Sequence, residues 1–177
     1  VSVGWVPVDG ERIDLAGARR LVVRGDDPGG AAEIPGLTRE DLLAPVPADA
    51  CPDAGKWTIQ QVVIHCLDSE LVSADRLKRM IAEDNPTLIG YDENKYVAGL
   101  FYADQDAGQA VQVIDLNRKL FGGALRKLPA SAWERKGTHN ERGVITVGGY
   151  LKSTVDHLDH HIKFIHAKRA AMGKEMW

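Results

Sequence analysis

Apolar residues recur at helical spacing through three long stretches of the chain. The first opens at Thr58, where Thr58 and Gln61 make a capping-box pair, and Ile59, Val62, Val63, Cys66, Leu67, Ala74, Leu77 and Ile81 follow on one face up to about Glu83. Asn85-Pro86 ends it, because a residue ahead of proline is pushed out of the helical region. The second stretch runs from about Asp104 to Leu128 and carries Ala107, Ala110, Val111, Ile114, Phe121, Ala124, Leu125 and Leu128. Pro129 lies beyond its end, and Gly122-Gly123 is its weak point. The third spans about Val147 to Met172, with Leu151, Val155, Leu158, Ile162 and Ile165 as its apolar face and Gly173 as C-cap. Ser131 and Glu134 are expected to cap a short turn between the second and third.

No strand pattern of comparable strength is present, so the fold class expected is all-α. Three amphipathic helices want a fourth to close the core of a bundle, and the first 56 residues must supply it. They are poorly suited: seven of the 18 glycines precede residue 37. Gly25-Asp26-Asp27-Pro28-Gly29-Gly30 interrupts any helix begun at Asp14, each interior glycine costing about 1 kcal/mol and an interior proline about 3 kcal/mol. The expectation is a short or broken helix from about Asp14 to Arg24 and an irregular stretch to Pro35, with Val22 and Val23 leaning towards strand. Thr38 to Leu43 reads as helix, Thr38 capping it and Asp41 in its first turn. With no repeat and no low-complexity linker, residues 1–177 read as one helical domain whose first 36 residues are irregular.

Composition narrows the function classes. At 177 residues, with 44% hydrophobic and 27% charged residues, the chain suits a single globular domain. Its 22 basic and 25 acidic residues give a net charge of −3, which argues against binding nucleic acid by phosphate neutralisation, and 6% aromatic residues argue against base stacking. Two cysteines, Cys51 and Cys66, permit at most one disulfide. The N-terminus lacks a basic stretch followed by an apolar run, and no stretch reaches the roughly 18 to 20 apolar residues that span a bilayer. A soluble, cytoplasmic protein without nucleic-acid or membrane partners is expected.

Candidate chemistry lies in the histidines. Four of the six fall between His157 and His166. His157 and His161 are i and i+4, so their imidazoles leave one helix face about 5 to 6 Å apart at Cβ, within reach of a common cation. His160 and His166 point elsewhere. His65 sits at the edge of the apolar stripe of the Thr58 helix, and antiparallel packing would bring a third imidazole over the pair. Three nitrogen ligands with positions left for water make a catalytic rather than a sealed structural site. The alternative reading of H-x3-H alone is a pair of surface histidines on a polar face.

Three segments carry a family resemblance. Gly55 to Ser69, with a G-x-W-[ST] turn followed by V-x-H-x-x-D-S, resembles the first signature of the DinB-like superfamily, in particular its YfiT-like branch. Asn85-Pro86-Thr87-Leu88-Ile89-Gly90-Tyr91-Asp92-Glu93 is similar to the P-T-[IL]-x-x-Y-D-E loop of that branch. His157-Leu158-Asp159-His160-His161-Ile162-Lys163-Phe164-Ile165 resembles its H-x-x-H-H-[IL]-x-x-I helix. The three occur in the expected order and span about residues 36 to 172. The resemblance implies a four-helix bundle of the DinB/YfiT type, commonly a homodimer, with a divalent metal on His65, His157 and His161. It also implies membership of a group that includes S-transferases using low-molecular-weight thiols such as bacillithiol or mycothiol, a mycothiol-dependent isomerase and proteins named as metal-dependent hydrolases. The glycine-rich N-terminus departs from the family's first helix.

The remaining polar residues have assigned expectations. Trp57 anchors the helix start, and Cys66, about 100° round the helix from His65, is a small core residue. Asp68, i+3 from His65, is either a partner of the metal ligands or an exposed charge. Tyr91, Asp92 and Glu93 form either a lid or a structural loop. His139 lies in a polar connection that could line the mouth of the site. Asp68 and His139 are the candidate general bases. Lys163, Lys168, Arg169 and Lys174 read as a solvated basic face near a helix C-terminus. The function expected is a divalent-metal-dependent enzyme, with Zn or Ni favoured among the metals that imidazole suits, acting on water for hydrolysis or on a thiol cosubstrate for S-transfer. The alternative is a non-catalytic dimeric metal-binding or stress-response protein with a structural metal.

Overall fold

The computed structural model describes residues 5–8, 11–14, 39–44 and 57–174. Its order is β1 (Trp5–Val8), β2 (Glu11–Asp14), α1 (Arg39–Leu43), α2 (Ile59–Ala82), β3 (Thr87–Leu88), α3 (Glu93–Gly99), α4 (Ala107–Leu125), β4 (Lys136–His139), β5 (Gly143–Thr146) and α5 (Val147–Ala171). Short 3-10 turns at Tyr102–Asp104 and Ala130–Glu134 flank α4.

Local chemistry sets the boundaries of the long helices. Thr58 Oγ1 accepts the Gln61 amide at 3.2 Å while Gln61 Oε1 accepts the Thr58 amide at 2.8 Å, so the expected capping box fixes the start of α2. It ends at Ala82 with Glu83 as C-cap, just ahead of Asn85, which takes a positive φ of 44° before the buried Pro86. Asp106 caps α4 through the Gln109 amide, and Thr146 caps α5 through the Gly149 amide. The second expected helix therefore begins three residues late: Asp104 closes a 3-10 turn rather than opening α4. Gly122-Gly123 is carried within α4 to Leu125. The Ala130–Glu134 turn has no side-chain cap, so the capping expected of Ser131 and Glu134 is not made.

Two apolar clusters show how the helices run. At one end Ile59, Val62, Val63, Ile64 and Cys66 of α2 pack with Ala107, Ala110 and Val111 of α4 and Ile165 of α5. At the other Leu77 and Met80 of α2 pack with Leu125 of α4, Trp133, and Val147, Tyr150 and Leu151 of α5. The start of α2 thus meets the far end of α5, and the two helices are antiparallel. Eight of these side chains are at most 2% exposed, and the large ones among them contribute roughly 1.5 to 3 kcal/mol each.

All-α is an approximation. The molecule is mostly helical, but β3 pairs parallel to β4 (Thr87↔Thr138, Leu88↔His139) and β4 pairs antiparallel to β5 (Lys136↔Thr146 through His139↔Gly143). Strands this short give little periodic signal, which is why their pattern is not legible beside three long helices. The N-terminal part expected to be irregular holds a regular strand pair, β1 against β2, with Val8 opposite Glu11 across Asp9-Gly10. Asp-Gly between two short runs is a recognised hairpin signal. Asp14, the expected start of a broken helix, instead closes β2, and residues 15–38 lie outside the described residues. So does Cys51. The expected helix at Thr38 to Leu43 is present as α1, with Glu40 and Asp41 in its first turn, packed on α2.

Candidate metal centre

The capping box at Thr58 sets the rotation of α2, and that rotation places His65 just beside the apolar stripe, where it is 5% exposed. Antiparallel packing lays the middle of α5 across it. His65 Nε2 stands 3.2 Å from His157 Nε2, and His161 Nε2 stands 3.1 Å from the same atom. The three side chains form the one His/Cys/Asp/Glu group able to hold a metal among the described residues, their nearest nitrogens all within 4.8 Å of one another. The rings meet in T-shaped contacts, with centroids 5.2, 4.8 and 4.5 Å apart.

This arrangement is a poor hydrogen-bonding cluster and a good cation site. A neutral imidazole has one N–H and one lone pair. His157 Nε2 therefore cannot make well-aligned hydrogen bonds to both neighbours at once. Protonating the rings would set like charges in contact in a buried place. Burial first, and then the charge of His157, pushes His65 down to about 4. Burial and the charges of His157, His65 and His160 push His161 down to about 3. Burial and His160 lower His157 as well. All three are thus neutral at pH 7, the state in which imidazole binds metals. Nitrogens each about 2.0 to 2.1 Å from one ion lie about 3.3 Å apart in a tetrahedron and about 2.9 Å apart in an octahedron, which brackets the two short separations here.

The outer nitrogens differ among the three rings. His65 Nδ1 and His161 Nδ1 are buried without a hydrogen-bond partner. Those two rings are held by packing, Trp57 lying 5.0 Å from His65 and Phe164 6.2 Å from His161 between ring centroids. His157 differs: its Nδ1 lies 3.3 Å from Ser69 Oγ. The donor set, three converging imidazole nitrogens, fits a divalent cation.

Around the cluster, α2 organises a polar wall. Gln60 Nε2 lies 3.1, 2.8 and 2.7 Å from the carbonyl oxygens of Tyr102, Ala103 and Gln105 and shares its two protons among them, pinning the 3-10 turn to α2. That turn delivers the fully buried Tyr102, whose hydroxyl donates to the Asp68 carboxylate. Asp68 is half-buried and hydrogen-bonded, which settles the expectation of an exposed charge against it. Tyr91, half-buried, packs against Tyr96 with the rings tilted and their centroids 4.6 Å apart. Burial raises its pKa, and a hydrogen bond with Ser69 opposes the rise. Asp92 is occupied as the cap of α3 through the Asn94 and Lys95 amides. Glu93, in the first turn of α3, is the carboxylate whose charge His157 feels.

His139 is placed elsewhere. It ends β4, 4% exposed, and its Nδ1 accepts the Glu141 amide at 3.2 Å. Burial lowers its pKa, and the charges acting on it are those of Arg76, Glu141 and Arg142 rather than the histidine cluster. Cys66 is buried in the core, and burial pushes its thiol up to about 12, so it is no nucleophile near neutral pH. Lys168 and Arg169 are buried rather than solvated: Lys168 Nζ donates to the Trp57 carbonyl at 2.7 Å and ties the end of α5 to the start of α2. Residues not assigned a role from sequence are Gln60, Tyr102 and Ser69. Ser69 alone had a readable signal, lying i+4 from His65 on one helix face.

Known proteins match this frame. The DinB superfamily profile matches residues 35–165, a span that holds all three histidines. A protein of Oceanobacillus iheyensis named "Putative metal-dependent hydrolase" is 32% identical over 112 residues, 63% of this chain and 64% of its own length. The chain thus spans a little under two thirds of that relative. YfiT of Bacillus subtilis, which bears the same description, is 28% identical over 120 residues, 67% of each chain. A solved structure of that YfiT superposes with a TM-score of 0.70 at 27% identity, covering 78% of this chain and 76% of its own, and is described as a probable metal-dependent hydrolase with an unusual four-helix bundle topology. By profile, sequence and fold together, the chain belongs to the DinB superfamily, in its YfiT-like branch.

Proposed function

We propose that the protein is a divalent-metal-dependent enzyme in which His65, His157 and His161 hold the ion. The observation that carries this reading is the convergence of three neutral Nε2 atoms at 3.1 and 3.2 Å contacts that cannot both be hydrogen bonds. The names of the relatives support the coarser reading of a metal-dependent hydrolase. Such an ion supplies Lewis acidity to a water or a low-molecular-weight thiol, for hydrolysis or S-transfer respectively. Imidazole donors suit zinc and nickel alike.

The chain's own residues supply the rest. The three rings orient the site, and Trp57, packed on His65, shields one side of it from bulk water. Asp68, one turn from His65 and steadied by the Tyr102 hydroxyl, is the better placed of the two expected general bases, and we assign it the role of proton acceptor. Glu93 adds a negative potential beside His157. Cys66 takes no part.

The test is a paired screen of the chelated chain with and without added zinc or nickel: nitrophenyl esters for hydrolysis, and an aryl halide with a low-molecular-weight thiol for conjugation. Turnover that requires metal and is lost in His157→Ala supports the enzyme. Metal uptake with no turnover in either arm supports the non-catalytic, metal-binding alternative instead.

A further inference from the structure

The three imidazoles are not held alike. His65 and His161 have outer nitrogens buried without partners, whereas His157 Nδ1 faces Ser69 Oγ at 3.3 Å. Ser69 is four residues beyond His65, so one face of α2 offers both His65 and a hydroxyl that meets a histidine of α5. A helical serine or threonine commonly turns its hydroxyl back to the carbonyl of residue i−4. Thr154 on α5 does so, donating to the Tyr150 carbonyl at 3.0 Å. The Ser69 hydroxyl is directed across the helix interface instead, with the Tyr91 phenol as its second neighbour.

We propose that Ser69 is a positioning residue of the centre: its oxygen accepts the Nδ1–H of His157, its own proton turns to the Tyr91 oxygen, and His157 is thereby fixed in the tautomer whose Nε2 lone pair faces His65 and His161. This rests on the metal reading of the site. The physical reason is that a neutral imidazole presents a lone pair at Nε2 only when its proton resides on Nδ1, and an acceptor at Nδ1 selects that form and stiffens the ring. For His65 and His161 the packing of Trp57 and Phe164 restrains the ring but selects no tautomer. His157 is also the ring whose Nε2 touches both others, so its orientation governs the whole cluster.

The experiment measures zinc affinity by competition with a chromophoric chelator for the wild-type chain, Ser69→Ala, Ser69→Thr and His157→Ala, with the thermal midpoint of each metal-free protein beside it. Loss of an outer hydrogen-bond partner typically costs about 10- to 100-fold in metal affinity. Ser69→Ala is expected to fall in that range with its metal-free midpoint unchanged, and Ser69→Thr, which keeps the oxygen, to recover most of the affinity. Ser69→Ala within about twofold of wild type, while His157→Ala loses zinc, overturns the proposal and leaves the metal reading standing. A wild-type chain that takes up no zinc overturns both. Independently of metal, two-bond proton–nitrogen NMR at about pH 8, above the ordinary histidine pKa, reads the tautomer directly. His157 protonated at Nδ1 in wild type and redistributed in Ser69→Ala is expected; an unchanged tautomer in the variant refutes the role of Ser69.

Discussion

His65 and His157 are separated by 92 residues in sequence and by 3.2 Å between their Nε2 atoms. Neither ring lies at a helix end. The contact exists because α2 and α5 run antiparallel, with caps at Thr58 and Thr146 setting where each helix begins. A ligand that binds only the folded chain stabilises it by RT ln(1 + [L]/Kd). Zinc at about a hundred times its dissociation constant should therefore raise the stability of the chelated protein by about 2.7 kcal/mol. His161→Ala should abolish the rise. A thermal melt with and without zinc checks this, and an equal rise in the variant counts against His161.

The metal-free protein should weaken on acidification. Because the folded-state pKa of His65 is about 4 and that of His161 about 3, against about 6.5 unfolded, the unfolded chain binds more protons throughout the interval. Stability is fully present above about pH 6.5 and is lost progressively as pH falls towards 4 and then 3. At pH 5 the cost from the buried His65 is at most about 2 kcal/mol. Urea denaturation at pH 7.5 and pH 5 measures the difference, which should shrink in the His65→Gln, His161→Gln double variant. A stability independent of pH across that interval would show that the rings are not kept neutral.

Glu70 and Arg118 tie α2 to α4 away from the histidines. Glu70 Oε2 accepts from Arg118 Nε at 2.9 Å and Nη2 at 2.7 Å, and its Oε1 accepts from Asn117 at 3.2 Å. With side chains only 11% and 22% exposed, the pair is screened far less than the i,i+4 pairs on the helix surfaces. Glu70→Ala leaves the guanidinium without its partner and should cost about 1 to 3 kcal/mol by urea denaturation, with zinc affinity unchanged. A cost below a few tenths would place the pair with ordinary surface bridges.

Gly137 on β4 is where the small sheet touches the helical core. A Cβ there would lie 2.9 Å from Met80 Cγ and 3.0 Å from Leu88 Cδ1. Gly137→Ala should overpack this contact and destabilise by about 1 to 3 kcal/mol. An unchanged midpoint in denaturant would mean that Met80 and Leu88 repack freely.

The helical part of the fold was legible because long amphipathic stripes and their caps are local signals: α2 begins and ends where Thr58, Gln61 and Asn85-Pro86 predict. The sheet was not, since β3 is two residues long and its partner β4 lies about fifty residues away. The histidines were legible as types and spacings, i and i+4 on α5 with a third at the edge of α2. What spacing could not show was which nitrogens face inward, or that Tyr102 would reach Asp68 from a 3-10 turn held by Gln60. His139 shows the converse: a histidine in a polar, glycine-flanked connection invited a place at the site, and strand pairing with β3 carried it to Arg76 instead.

The proposed function requires one divalent ion on His65, His157 and His161. Titration of the chelated, untagged chain with zinc or nickel, followed by elemental analysis after dialysis, tests it most directly. One ion per chain is expected in the wild type, and loss of that ion in each of His65→Ala, His157→Ala and His161→Ala while the variants stay folded. Absence of a bound ion, or retention of the same stoichiometry and affinity in all three variants, would contradict it.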